Sequence, residues 1–192
     1  IKKFFTEVVQ GKFGEDQFDQ LSEEDLVALA ENQRPKESYE LKFIEKANEI
    51  TNKLLKEFGL PQFDVSERNV QIVDNDLFVK LSPGRTHAAC FLPDTQRILI
   101  SETHAKNPFI TATHILHEMT HLKGYIANEV FSHRNNPDEY DMDRYRVGLM
   151  VFSTAKKSRE GAGFFAVGRG INEAVVAEIQ RRYTDDIMES AV

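Results

Sequence analysis

The spacing of apolar residues predicts helices in the first third of the chain. From about residue 37 to residue 58, apolar side chains recur at helical spacing, as in a helix with one face in a protein core. They are Phe43, Ile44, Ala47, Ile50, Leu54, Leu55 and Phe58. Residues 3–9 and 23–32 also have a helical pattern, and Ser22 is a suitable cap for the second segment because acidic residues follow it. We therefore expect residues 1–60 to be mainly helical.

Shorter apolar runs that follow predict strands. Residues 69–80 predict short strands around Val70, Ile72, Leu77 and Val79. The segments Ala88–Leu92 and Arg97–Ser101 predict a hairpin, because the turn-rich residues 93–96 join them.

The hairpin is followed by a segment with the start and stop signals of a helix. Asn107 and Pro108 fit the cap and the first helical position, and Gly124 can end the helix. The apolar residues between them are Ile110, Ile115, Leu116, Met119 and Leu122. This pattern predicts a half-buried helix.

That helix contains the sequence His117-Glu118-Met119-Thr120-His121. Two histidines four residues apart project from one helix face and can bind one zinc ion. With one further protein ligand, a fourth position stays open for water, as in catalytic zinc sites. Glu118 is turned about 100° from His117 and is the candidate general base for that water.

A second segment supplies a candidate for the third ligand. Residues Asn172-Glu173-Ala174 begin a downstream helical pattern, and this arrangement resembles the gluzincin metallopeptidases, the thermolysin-like clan. The resemblance covers roughly residues 69–185. It implies that His117, His121 and Glu173 bind Zn²⁺, that Glu118 is the catalytic base and that Asn172 supports the site. The implied reaction is the hydrolysis of peptide bonds in a peptide or protein substrate.

The resemblance also implies an α+β, zincin-like fold. Its features are a small mixed sheet with an edge strand next to the motif helix, a second metal-ligand helix near the C-terminus and extra N-terminal helices. In gluzincins an extended substrate lies along that edge strand, so the residues near His87 to Phe91 are expected to form the cleft wall.

The chain departs from the thermolysin pattern in two ways. The 51 residues between His121 and Glu173 (122–172) exceed the thermolysin spacing, which suggests an inserted hairpin. Thermolysin-like sequences also have an acidic residue four positions after the glutamate ligand, where this chain has Ala177. Glu178 follows, but it is turned about 140° from Glu173, so the two cannot easily both face the metal. Glu173 is the favoured third ligand because the Asn-Glu pair near the helix start matches the family.

Two other zinc architectures are less compatible with the sequence. Metzincins require a third histidine at the position of Ala127. Peptide deformylases use a cysteine ligand, and Cys90 is the single cysteine of this chain, but it lies in an apolar run where a cysteine is usually a buried hydrophobic residue.

The region between the two ligand segments is expected to flank the cleft. The polar stretch Ser132–Asp143 predicts a solvated acidic loop rather than a calcium site, since it has no complete calcium-loop pattern. Residues 145–154 and 163–167 predict a hairpin. His114 either packs in the fold or supports the site, and the candidates for oxyanion stabilisation are His87, His133, Tyr145 and Tyr183.

Composition sets wider bounds on the function. The 192 residues are 41% hydrophobic, which is compatible with a single domain over 1–192. A net charge of -7 argues against nucleic acid as a partner, and no apolar run is as long as a membrane helix. Because the chain begins with Ile1, a preceding targeting segment or domain stays open, and so does the oligomeric state.

The sequence therefore predicts a zinc metallopeptidase. Two alternatives stay open at this stage. One is a catalytically silent domain that keeps the fold for regulation or binding, and the other is a deformylase-like zinc hydrolase of a non-peptide amide.

Overall fold

The computed structural model describes residues 22–82, 88–92, 95–124, 126–133, 136–153, 165–167 and 169–190. The helices are α1 (Glu23–Asn32), α2 (Ser38–Glu57), α3 (Asn75–Leu81), α4 (Glu102–Ala105), α5 (Pro108–Leu122) and α6 (Arg169–Glu189). The strands are β1 (Val70–Val73), β2 (Ala89–Leu92), β3 (Arg97–Ser101), β4 (Ile126–His133), β5 (Asn136–Val147), β6 (Met150–Ser153) and β7 (Phe165–Val167). The predicted α+β class is confirmed, and no described helix has the length and apolar character that crossing a membrane requires.

The two predicted N-terminal helices that fall in the described residues are confirmed. Helix α1 begins after Ser22, whose hydroxyl accepts a hydrogen bond from the Asp25 amide, while the Asp25 carboxylate accepts one from the Ser22 amide. Helix α2 buries Phe43, Ile44, Ala47, Ile50 and Leu55, which belong to the predicted apolar stripe. The segment 3–9 lies outside the described residues.

By its internal contacts the chain divides into two compact units, with boundaries after Lys123 and after Glu173. The larger unit contains a three-stranded mixed sheet in the order β1-β3-β2. Strand β1 is parallel to β3, and β2 is antiparallel to it, as the predicted hairpin requires. The prediction of one domain over 1–192 stays a prediction.

Helices cover both faces of this sheet. On one face, side chains from β1, β2 and β3 form a core cluster with residues of α1 and α3. The cluster contains Leu29, Val73, Leu77, Phe78, Leu81, Cys90, Leu92 and Leu99. On β2 the alternate residues Ala89 and Phe91 point to the other face, and α5 packs against β2 and β3.

One strand prediction is wrong. Leu77 and Val79 lie in helix α3, whereas Val70 and Ile72 lie in β1 as predicted. Asp74 caps the helix by accepting a hydrogen bond from the Leu77 amide at 2.9 Å. Within it Leu77 and Leu81 are buried while Val79 is exposed, so the apolar residues follow helical rather than alternating periodicity.

The smaller unit contains a four-stranded antiparallel sheet in the order β4-β5-β6-β7. The prediction of an acidic loop over Ser132–Asp143 is wrong, because most of this segment forms strand β5 and pairs with β4. A polar segment can form a strand when its main chain is paired, and composition alone does not reveal that pairing. Pairing of β6 with β7 confirms the predicted hairpin in part, because residues 145–147 of its expected first strand belong to β5 and a turn at 148–149 precedes β6.

A buried carboxylate ties the start of α2 to the preceding segment. Glu40 is fully buried and forms a two-point ion pair with Arg34, including a 3.0 Å bond from Arg34 Nη1 to Glu40 Oε2. Glu40 Oε2 also accepts a 2.7 Å bond from the Glu37 amide. The carboxylate raises the pKa of Arg34 above its usual value through this hydrogen bonding. The charge of Glu40 is therefore compensated mainly by one side chain.

We expect Arg34→Met to lower the free energy of unfolding by about 3 kcal/mol, because it leaves a buried carboxylate without its counter-charge. Lys46→Met is the matched control, since Lys46 pairs with the exposed carboxylate of Glu49 and such a pair contributes at most about 1 kcal/mol. Urea denaturation measures both effects. Equal stability of the two variants would contradict the role assigned to Arg34.

Candidate metal centre

Helix α5 is fixed at its start and along one face. The Asn107 carboxamide oxygen accepts hydrogen bonds from the amides of Phe109 and Ile110, and Pro108 occupies the first turn, as predicted. Four apolar side chains on the inner face are fully buried, namely Ala112, Ile115, Leu116 and Met119. They belong to the surface through which α5 packs on α2, β2 and β3. This packing sets the rotation of the helix and leaves His117 and His121 half-buried.

The two histidines of the motif converge. His117 Nε2 and His121 Nε2 are 3.1 Å apart, and the ring centroids are 4.8 Å apart. Two ligand nitrogens bound tetrahedrally to one zinc ion at about 2.0 to 2.1 Å lie about 3.3 to 3.4 Å from each other. The observed separation therefore matches a shared ion closely.

Glu173, on α6, completes the group. One ligand atom from each of His117, His121 and Glu173 lies within 4.8 Å of the others. This limit of 4.8 Å exceeds the ligand spacing in a closed zinc site by about 1.4 Å, which rotation of a half-buried carboxylate can supply. These three side chains could hold a metal ion, so the structure brings together the residues that the sequence predicted as ligands.

Glu118 lies between the two histidines in sequence and is nearly buried, with 9% of its surface exposed. Its neighbour Met119 is fully buried, so the carboxylate stands at the border between the core and the half-buried histidine face. A carboxylate there is suited to exchange a proton with a water molecule close to the histidines.

The structure adds one residue that the sequence analysis did not identify. Gln180 Oε1 lies 3.0 Å from Nδ1 of His117, on the ring edge opposite Nε2. Gln180 follows Glu173 by seven residues, which is close to two helical turns and so returns to nearly the same helix face. This spacing was the available signal, but many helix positions share it.

The two less favoured ligands are directed elsewhere. Glu178 pairs with Arg181 and Arg182 on the exposed side of α6, and hydrogen bonds from these arginines lower the pKa of its carboxyl to about 2. Cys90 is buried and contributes to the core cluster between the sheet and helices α1 and α3. Because β2 alternates, this is the face opposite α5.

Asn172 contacts a turn within the smaller unit, to which it belongs itself. Its carboxamide oxygen accepts a 2.9 Å hydrogen bond from the Leu149 amide, and the residue is buried. Gly148 has a φ of 57°, and a Cβ atom there would collide with the same oxygen. A glycine is therefore needed in this turn both for its conformation and for the approach of Asn172.

The remaining candidates are the residues expected to support the site, to stabilise an oxyanion or to form the cleft wall. His114 is half-buried on α5, one turn before His117. The ring of Tyr183 lies 5.9 Å from the Lys53 ammonium, measured to the ring centroid. His87 and the side chains of His133 and Tyr145 are outside the described residues. The side chains of Ala88–Leu92 are buried, so they form core rather than an open cleft wall.

Comparison of the chain with protein-family models, with curated proteins and with solved structures finds no match. The candidate centre therefore rests on the geometry of its own residues, above all the 3.1 Å approach of the two histidines.

We expect Glu173→Ala to weaken metal binding strongly, because it removes one of three protein ligands. Glu178→Ala is the matched control on the same helix, and Cys90→Ala tests the cysteine alternative. Both should retain metal, which titration with Zn²⁺ against a chromophoric chelator measures. If Glu173→Ala bound zinc with normal affinity while Cys90→Ala lost zinc, Cys90 rather than Glu173 would be the third ligand.

A second prediction concerns the turn that contacts Asn172. Gly148→Ala should lower the free energy of unfolding by about 1 to 3 kcal/mol through backbone strain, and it should also weaken metal binding, because displaced Asn172 is adjacent to Glu173. Gly59→Ala is the control, since Gly59 has a φ of 70° but a Cβ atom there would lie in open space. Chelator competition should show unchanged affinity in Gly59→Ala; an equal loss in both variants would contradict the proposed link.

Proposed function

We propose that this protein is a zinc-dependent metallopeptidase of the gluzincin type. The observation that carries the proposal is the grouping of His117, His121 and Glu173. Glu118, which lies between the two histidines in the same helix, adds the acid-base group that hydrolysis needs. Packing of a helix against a sheet does not require this combination of side chains, so a chemical role explains it better than a structural one.

The donor set supports zinc over other common metals. Two imidazoles and one carboxylate form the ligand set of many catalytic zinc sites, whereas calcium and magnesium prefer sites built from oxygen ligands. Bound zinc would polarise a scissile carbonyl and lower the pKa of a coordinated water to near neutrality. His117, His121 and Glu173 would hold the ion, and as three protein ligands they would allow a water molecule to bind it.

Glu118 is the proposed general base. Its carboxylate accepts a proton from the attacking water and later donates it to the amine that leaves when the peptide C–N bond breaks. The low exposure of Glu118, 9%, keeps competing solvent away from this proton. The proton thus stays on one side chain between the two steps.

A peptide is the proposed substrate class. The support is the combination of the motif on α5 with Asn172-Glu173-Ala174 on α6, which resembles the gluzincins.

The test is Glu118→Gln in the zinc-loaded protein. The amide is nearly the same size as the carboxylate but cannot accept the proton, so zinc and fold should be retained while peptide cleavage falls by at least about 100-fold. Cleavage sites in a diverse peptide mixture, identified by mass spectrometry, measure activity, and elemental analysis measures zinc.

Wild-type cleavage should stop when zinc is removed by a chelator and return when it is restored. Wild-type turnover in Glu118→Gln would exclude the proposed mechanism. A zinc-loaded protein that cleaves no peptide in the mixture would favour the silent-domain alternative, and cleavage of formylated or other non-peptide amides alone would favour the second alternative.

A further inference from the structure

We propose that Gln180 is a positioning residue for the metal centre, holding the His117 ring through Nδ1 so that Nε2 is available as the ligand atom. This inference rests on the metal site of the proposed function. Its direct basis is the 3.0 Å contact between Gln180 Oε1 and His117 Nδ1.

The chemistry of the contact fixes the form of the ring. A carboxamide oxygen only accepts hydrogen bonds, so Nδ1 of His117 must carry the hydrogen that it shares with Gln180. In the neutral imidazole the lone pair is then on Nε2, which is the atom 3.1 Å from His121 Nε2. The hydrogen bond from Gln180 thus selects the tautomer and the ring orientation that metal binding needs.

The position of Gln180 on α6 supports this role. The helix is anchored by Val176 and Ile187, which are 4% and 0% exposed. Gln180 lies between these two residues in the sequence and is half-buried. An apolar residue at this position would extend the buried face of the helix. Ala177, one turn after Glu173, has no polar side chain. The hydrogen-bond acceptor for His117 is consequently supplied one turn later along the helix.

The acceptor for His117 is the neutral amide of Gln180, and its lack of charge has a consequence for the zinc affinity of the site. A carboxylate at the same place would form a charge-assisted hydrogen bond, which is roughly twice as strong as a neutral one, and would make the imidazole a more basic ligand. The site should therefore bind zinc less tightly with Gln180 than with a glutamate at that position. Two substitutions whose side chains are nearly as long as glutamine separate the effect of the hydrogen-bond acceptor from the effect of side-chain packing.

Gln180→Met keeps the length of the side chain but removes the acceptor, and we expect it to weaken zinc binding about 10- to 100-fold. Gln180→Glu keeps an acceptor and should bind zinc at least as tightly as the wild type. Glu178→Gln, two residues earlier on the exposed side of α6, is the control and should leave the affinity unchanged. Chelator competition on the purified full chain measures all four proteins.

A second readout excludes a merely structural role. In the metal-free wild type, ring ¹⁵N resonances of His117 should show the Nδ1–H tautomer, and Gln180→Met should shift the population towards Nε2–H. The metal-free variant should melt close to the wild type.

The outcomes are separable. Suppose that the wild type binds zinc normally and that Gln180→Met changes neither the zinc affinity nor the tautomer of His117. This result would overturn the role of Gln180 but not the proposed function. The same holds if Gln180→Glu loses zinc as severely as Gln180→Met. A wild-type chain that binds no zinc would overturn both this inference and the proposed function.

Discussion

The packing of helix α5 against the mixed sheet and helix α2 is the constraint on which the candidate centre depends. A helix that buries Ala112, Ile115, Leu116 and Met119 completely has no freedom to rotate about its axis without exposing apolar surface. Since residues three and four apart share a face, this rotation also fixes the direction of the two histidines. The hydrophobic core thereby determines the orientation of the polar groups, and Glu118 is held at the edge of that core.

The centre also depends on α6, which provides both a ligand and the contact that orients another ligand. One carboxylate oxygen of Glu173 lies within 4.8 Å of a ring nitrogen of each histidine, while Gln180 contacts Nδ1 of His117. The two residues are related by nearly two helical turns, so a rigid helix can hold both at once. Anchoring by Val176 and Ile187 in the core therefore has a direct consequence for the site. The turn at Gly148 adds a further attachment next to Glu173, through Asn172.

Errors in the sequence-based predictions have identifiable physical causes. The segment after β1 has apolar residues compatible with either period over such a short length, and the cap formed by Asp74 selected the helix. The acidic stretch in β5 has no apolar alternation, so only its pairing with β4 reveals a strand. In both cases hydrogen bonds to the main chain selected a conformation that the pattern of side chains did not specify. Gln180 was missed because its only signal was the seven-residue spacing from Glu173, which many pairs of helix positions share.

The sequence by itself determined the elements with strong local signals. These were the caps at Ser22 and Asn107, the long apolar stripe of α2, the β2–β3 hairpin and the histidine pair of the motif, whose spacing on a helix is local geometry. Helical phase also showed that Glu173 and Glu178 cannot both face one metal ion, and the resemblance of Asn172-Glu173-Ala174 to the gluzincins favoured Glu173. Only the tertiary structure decided that α6 brings Glu173 to the histidines, that Cys90 points to the opposite face of the sheet and that Gln180 holds the His117 ring. Contacts between residues more than fifty positions apart depend on how the helices and strands pack, and local periodicity does not contain that information.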